Sequence, residues 1–106
     1  MRDKQLYKIH ADICKALTHP VRLEILDNLR DGEKTVTELV ESLEVAQSTV
    51  SRHLSVMRSI GVVSTRRNGT SIFYSIASNH ILAAYDEMHA FAVEMLTAQS
   101  AIFAPH

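Results

Sequence analysis

A chain of 106 residues with 46% hydrophobic and 22% charged side chains has room for one domain and one modest core, and no Pro- or Ser-rich linker divides it. There is neither a run of about 18 apolar residues nor a secretory leader, so no membrane role is expected, and the single cysteine, Cys14, excludes an internal disulfide framework and points to the cytoplasm. The net charge is −1, which taken alone argues against a nucleic-acid partner.

In chain order, Leu6, Ile9, Ile13 and Leu17 recur at helical spacing and predict a first helix over about 4–17. Thr18-His19-Pro20 breaks it and opens a second helix, with Pro20 suited to the first helical position, where an N–H has no partner to lose. That helix offers Val21, Ile25, Leu26 and Leu29 to a core, and Gly32 stands where its C-terminal cap is expected. Thr35-Val36-Thr37-Glu38 fits a capping box, in which the threonine hydroxyl accepts from the Glu38 amide and the Glu38 carboxylate reaches back. A short third helix over about 36–43 follows, burying Val36, Leu39, Val40 and Leu43, and Glu44-Val45-Ala46 turns tightly into a fourth.

The fourth helix has two unlike faces. Val50, Leu54, Met57 and Ile60 point to a core, whereas Gln47, Ser48, Ser51, Arg52, Ser55, Arg58 and Ser59 lie opposite. These side chains are short or flexible enough to let a helix enter the major groove, and they carry donors and acceptors for base edges and phosphates. Two short helices joined by a few residues, over about 36–60, make a helix-turn-helix with the second helix as reader. After Gly61, Val62–Arg67 and Thr70–Ile76 read as strands around Asn68-Gly69, a pair suited to a type I′ turn, which needs positive φ at both positions. Ile72, Tyr74 and Ile76 alternate towards the core, leaving Arg66-Arg67-Asn68-Gly69 as a basic tip, so 62–76 is a wing. A last helix over about 79–98 carries Ile81, Tyr85, Met88, Ala92 and Met95 at 4-3-4-3 spacing, a seam for another helix. A homodimer built on helices 4–17 and 79–98 is expected to cover it, with residues after Thr97 fraying. The expected fold is mainly α with a small β-hairpin: a single winged helix-turn-helix domain of order α1-α2-α3-α4-β1-β2-α5.

The distribution of charge is more informative than its total. Between Glu44 and Asp86 there is no acidic residue, while Arg52, Arg58, Arg66 and Arg67 all lie there, so that stretch carries +4 and the remainder −1 − 4 = −5. A basic block on a reader helix and wing is a local footprint for double-stranded DNA. A winged helix that docks a protein instead is the alternative, but it would not require 41 residues free of acid. No Gly-rich phosphate loop, carboxylate pair or Cys/His nucleophile motif points to an enzyme.

In their order and spacing, Ala16-Leu17-Thr18-His19-Pro20-Val21-Arg22-Leu23-Glu24-Ile25-Leu26, Gln47-Ser48-Thr49-Val50-Ser51-Arg52-His53-Leu54, and Arg66-Arg67-Asn68-Gly69 through Phe73-Tyr74 resemble the ArsR/SmtB family of bacterial winged-helix repressors. The likeness spans about 7–96. It implies a homodimeric repressor that binds an imperfect palindrome in its own operon, with half-sites ~34 Å apart. The DNA-contacting set that follows is Gln47, Ser48, Thr49, Ser51, Arg52, His53 and Arg58 of the reader, with Arg66, Arg67 and Asn68 of the wing. Ala46 departs from the family's usual Ser at the reader's N-cap, at a cost of about 1 kcal/mol.

The resemblance also implies release from DNA by an effector, which could be a metal ion, a thiol-reactive species or a small molecule. The third-helix thiolate site is lacking, because Thr35 and Thr37 hold its positions. Of the last-helix zinc positions Ser78, His80, Phe91 and Glu94, only His80 and Glu94 are able to ligate. His10 and Cys14, four apart on the first helix, are a workable pair for a divalent metal, to which His89 or His106 could add. Against that stands the plainer reading of Cys14 as a small buried hydrophobe; it is also the one candidate for a redox switch. No cofactor is required.

Overall fold

The computed structural model describes residues 3–103. Helix α1 runs Lys4–Ala16 and is N-capped by Asp3, whose Oδ1 accepts from the Gln5 amide at 2.9 Å. Helix α2 runs Pro20–Asn28, with Pro20 in its first turn and His19 as N-cap, the His19 Nδ1 accepting from the Val21 amide at 3.2 Å. The chain then tightens into a 3-10 turn over Leu29–Asp31, so Gly32, at φ 137°, closes that turn and not the α-helix. Helix α3, Val36–Leu43, begins on the expected capping box, with both reciprocal bonds between Thr35 and Glu38 formed. It ends at Glu44, whose left-handed φ of 55° makes the sharp corner into helix α4, Gln47–Ile60. Ala46 caps α4 without any side-chain bond, and Gly61, at φ 96°, ends it.

Strands β1 (Val63–Asn68) and β2 (Ser71–Ile76) pair antiparallel, with Asn68 opposite Ser71. The turn therefore has Gly69-Thr70 at its centre, one residue later than the expected Asn68-Gly69 turn. Asn68 stays in the ladder, and Gly69 alone takes positive φ (64°), at the first central position, as a type II′ turn requires. Lys34 adds a bridge to the other edge of β2, exchanging two backbone bonds with Tyr74 at 3.0 and 2.8 Å. Helix α5, Asn79–Phe103, starts on the Ser78 hydroxyl, which accepts from the His80 amide, and continues past Thr97, where the sequence predicts fraying.

The core is built between α2, α3, α4 and the start of β1. Ile25, Leu26, Leu39, Val50, Leu54 and Met57 are fully buried, with Ala16 from α1 and Val62 and Val63 sealing its ends. Ile13 of α1 and its C-cap Leu17, Tyr74 and Ile76 of β2, and Ile81 and Tyr85 of α5 pack around it. The expected seams divide at that point. Leu6 and Ile9 of α1 and Met88 and Met95 of α5 remain exposed.

Candidate nucleic-acid interface

The reader helix keeps its two faces apart. Gln47, Ser48, Arg52, Ser55, Arg58 and Ser59 are exposed, Thr49 and Ser51 are half-buried beside them, and Val50, Leu54 and Met57 point inward. Neither Arg52 nor Arg58 has an acidic partner among the described residues, so both keep their charge available. Holding α4 by a buried stripe fixes which side chains face out, and the sharp left-handed corner at Glu44 sets its angle to α3.

His53 belongs to the other side, which corrects its expected place among the DNA contacts. It is 5% exposed, because it sits three residues after Val50 and four before Met57, on the apolar stripe. Its Nδ1 accepts from Nε of Arg22 at 3.1 Å, and its ring lies 4.3 Å from that of His19. Arg22 reaches on to the Ala16 and Lys15 carbonyls at 3.4 and 3.5 Å. One guanidinium thus ties the end of α1 and the start of α2 to the middle of the reader. Burial first, and then the neighbouring His19, Arg22 and Arg52, hold the His53 imidazole below its ordinary 6.5 and keep it neutral, as an acceptor at Nδ1 must be. Sequence reasoning missed Arg22; its position inside the motif that opens α2 was the available signal.

Arg66, Arg67 and Asn68 all lie exposed on β1, as expected for a wing. Arg66 differs from its neighbour in being engaged. Its Nε and Nη2 donate to the two Glu33 carboxylate oxygens at 3.1 and 2.5 Å, and its guanidinium lies 4.8 Å from the centre of the Phe73 ring. Each partner shifts accordingly, the Glu33 carboxyl downward and the Arg66 guanidinium upward, chiefly through this hydrogen bond.

The arsR family of bacterial regulatory proteins matches residues 19–65, the stretch that contains α2, α3 and α4. The homodimeric winged helix-turn-helix DNA-binding domain of Mb0332 from Mycobacterium bovis, a possible ArsR-family transcriptional regulator, superposes with a TM-score of 0.81 at 30% identity, over 100% of this chain and 97% of that one. The transcriptional activator HlyU of Vibrio cholerae is 38% identical over 73% of this chain and 71% of its own length. The transcriptional repressor SmtB of Mycobacterium tuberculosis is 35% identical over 74% of this chain and 58% of its own length. This chain belongs to the arsR family. It is a winged helix-turn-helix transcriptional regulator.

In this arsR-family chain the candidate sensor residues stay scattered. His80 and Glu94 are both exposed on α5 but fourteen positions apart, about 21 Å along a helix axis, too far to share one ion within a chain. His10 and Cys14 lie one turn apart on α1, both exposed in the single chain, where Cys14 is not the buried hydrophobe of the plainer reading. His89 stacks against Tyr85 at 5.5 Å, and His106 lies outside the described residues. No three metal-ligating side chains converge among the described residues. What does converge on α5 is a joint: Arg30 donates to both Asp86 carboxylate oxygens at 3.2 and 2.5 Å, with its guanidinium 5.8 Å from the Tyr85 ring centre, so the 3-10 turn after α2 is tied to the start of α5.

Proposed function

We propose that this chain is a homodimeric repressor of its own operon that reads an imperfect palindrome with two copies of α4 and is released by an effector. The observation that carries the reading is the outer face of α4: polar, unpaired and basic at Arg52 and Arg58, inside 41 residues without an acid. Gln47, Ser48, Thr49 and Ser51 approach base edges, Arg52 and Arg58 hold phosphates, and Arg67 and Asn68 of the wing tip reach the flanking backbone. The acidic remainder of the molecule weakens indiscriminate attachment and leaves affinity to depend on fit.

Dimerisation is supported by the apolar residues that α1 and α5 leave uncovered and by the homodimer of the Mb0332 domain. A divalent metal effector would draw ligands from both subunits, with His10 and Cys14 as the neighbouring pair on offer; thiol chemistry at the exposed Cys14 is the other route.

Fluorescence anisotropy with the DNA upstream of the chain's own gene, in chelator and then in zinc, tests this. Tight binding that falls steeply with salt is expected. Binding weakened by about tenfold or more in zinc, equivalent to ~1.4 kcal/mol, identifies a metal effector. Binding indifferent to zinc directs attention to Cys14, and absence of binding in both conditions overturns the reading.

A further inference from the structure

The two wing arginines are adjacent in sequence but cannot serve the same surface. Successive residues of a strand point to opposite faces. Arg66 stands opposite Phe73, and two positions away Ser64 stands opposite Ser75 with their hydroxyls 3.1 Å apart, so these four share one face. Arg67, opposite Ile72, is on the other. The Lys34–Tyr74 bridge brings Glu33 alongside the first face, where its two carboxylate oxygens meet the Arg66 guanidinium while that guanidinium lies over the Phe73 ring.

We propose that Arg66 and Glu33 form a clamp that sets the angle of the wing, and that the wing's phosphate contact belongs to Arg67. The proposal rests on the DNA-binding reading above and refines it. Two donors of the Arg66 fork already point at a carboxylate, a geometry that fits guanidinium to carboxylate bidentately. A DNA phosphate arriving there would have to displace Glu33 and then sit beside its charge. As a pair, Arg66 and Glu33 are neutral, and a neutral pair displaces no counterions from DNA. Arg67 has no acidic partner among the described residues and lies two positions before the turn. The charge that the acid-free stretch brings to DNA is therefore +4 − 1 = +3, carried by Arg52, Arg58 and Arg67.

The test compares three variants of the full chain: Arg67→Ala, Arg66→Ala, and the charge exchange Glu33→Arg/Arg66→Glu. Operator affinity is measured across a salt series, and amide hydrogen exchange of β2 is measured without DNA. Arg67→Ala is expected to lower the log–log salt slope by about 1.8, the value of one phosphate contact in each subunit of the dimer. Arg66→Ala is expected to keep the slope, to weaken binding about two- to fivefold, the range of an exposed ion pair, and to speed exchange in β2. The charge exchange is expected to restore both affinity and protection, because it rebuilds the pair. A slope that falls by about 1.8 in Arg66→Ala, or a charge exchange that binds more weakly than Arg66→Ala, would overturn the clamp and return the phosphate contact to Arg66. If the wild type binds no operator, the DNA reading itself fails, and the exchange data still decide whether Arg66 and Glu33 hold the wing.

Discussion

On α4 the inward-facing residues Val50, Leu54 and Met57 are sealed completely, within the core shared with α2, α3 and the start of β1. On α5 the same helical spacing continues past Tyr85, yet Met88 and Leu96 stand 68% and 65% exposed, with Phe91, Val93 and Met95 exposed between and beside them. The two helices have apolar stripes of similar kind and opposite circumstance. The reader is completed by its own chain, so its outward face can be given wholly to polar side chains. The long α5 is completed only at its start, where Ile81 and Tyr85 reach the core and Arg30 grips Asp86. An exposed apolar run of that length marks a surface made for another chain. The contrast separates the residues that maintain the fold from those that maintain the proposed dimer.

The largest effect should come from the sealed side. Leu54→Ala removes a fully buried side chain at the centre of the core, at an expected cost of about 3 kcal/mol, read by urea denaturation. A loss below about 1 kcal/mol would mean that the α4 stripe collapses around the gap and is less rigid than its burial implies. The counterpart on the open side is Met88→Asp/Leu96→Asp. Both positions are exposed, so helix content should persist, while sedimentation should show a monomer and operator affinity should fall about tenfold or more as half-sites are engaged singly. Unchanged sedimentation would assign the α5 stripe to something other than a second copy.

Much of the sealed half was legible because its signals are local. Pro20 at a helix start, the Thr35–Glu38 box, Gly61 at a helix end and the Val50–Leu54–Met57 spacing each act within four or so residues of chain. The hairpin turn falls one residue later than the Asn-Gly pair suggests because that pair is compatible with either register; the ladder decides, and here it keeps Asn68 paired. The family motif Gln47–Leu54 groups His53 with the DNA contacts, although its spacing from Val50 and Met57 puts it on the core side. The pairs Arg22–His53, Arg66–Glu33 and Arg30–Asp86 join residues 31, 33 and 56 positions apart, and nothing in local pattern encodes them. Two of them change the candidate site, one by removing a residue from it and one by dividing the wing arginines, while the third ties the 3-10 turn after α2 to α5.

A moderate effect tests how the reader is fastened. The His53 imidazole is held neutral in the folded chain, below its ordinary 6.5, whereas the unfolded chain takes up the proton near that value. Below pH 6.5 the unfolded state therefore binds more protons than the folded one, and stability should decline as pH falls from there towards the folded-state value, with no contribution from this group above it. In His53→Asn, whose amide oxygen can still accept from Arg22 but does not titrate, that decline should be shallower than in the wild type. Parallel curves from pH 7 to 5, roughly the span in which histidine titrates, would mean that another group carries the acid sensitivity.

The smallest effect concerns the one unfinished detail of the sealed half. Ala46 already has the extended backbone of an N-cap (φ −55°, ψ 141°), and its carbonyl accepts from the Thr49 and Val50 amides at 3.0 and 3.1 Å, but its side chain offers nothing to the first turn. Ala46→Ser puts a hydroxyl where a first-turn amide can donate to it, without asking the backbone to move. The expected gain is about 0.5–1 kcal/mol in urea denaturation. Because Ala46 is exposed and lies beside Gln47 and Ser48, the same substitution also probes the interface. The free amides at a helix start attract anions; a serine that caps one of them competes with a phosphate for it. If α4 meets DNA through its side chains, stability rises and operator affinity stays within about twofold, under ~0.5 kcal/mol. If the first-turn amides themselves hold a phosphate, the same gain in stability is accompanied by weaker binding, and the missing cap is then a feature of the reading surface, not a defect in the helix.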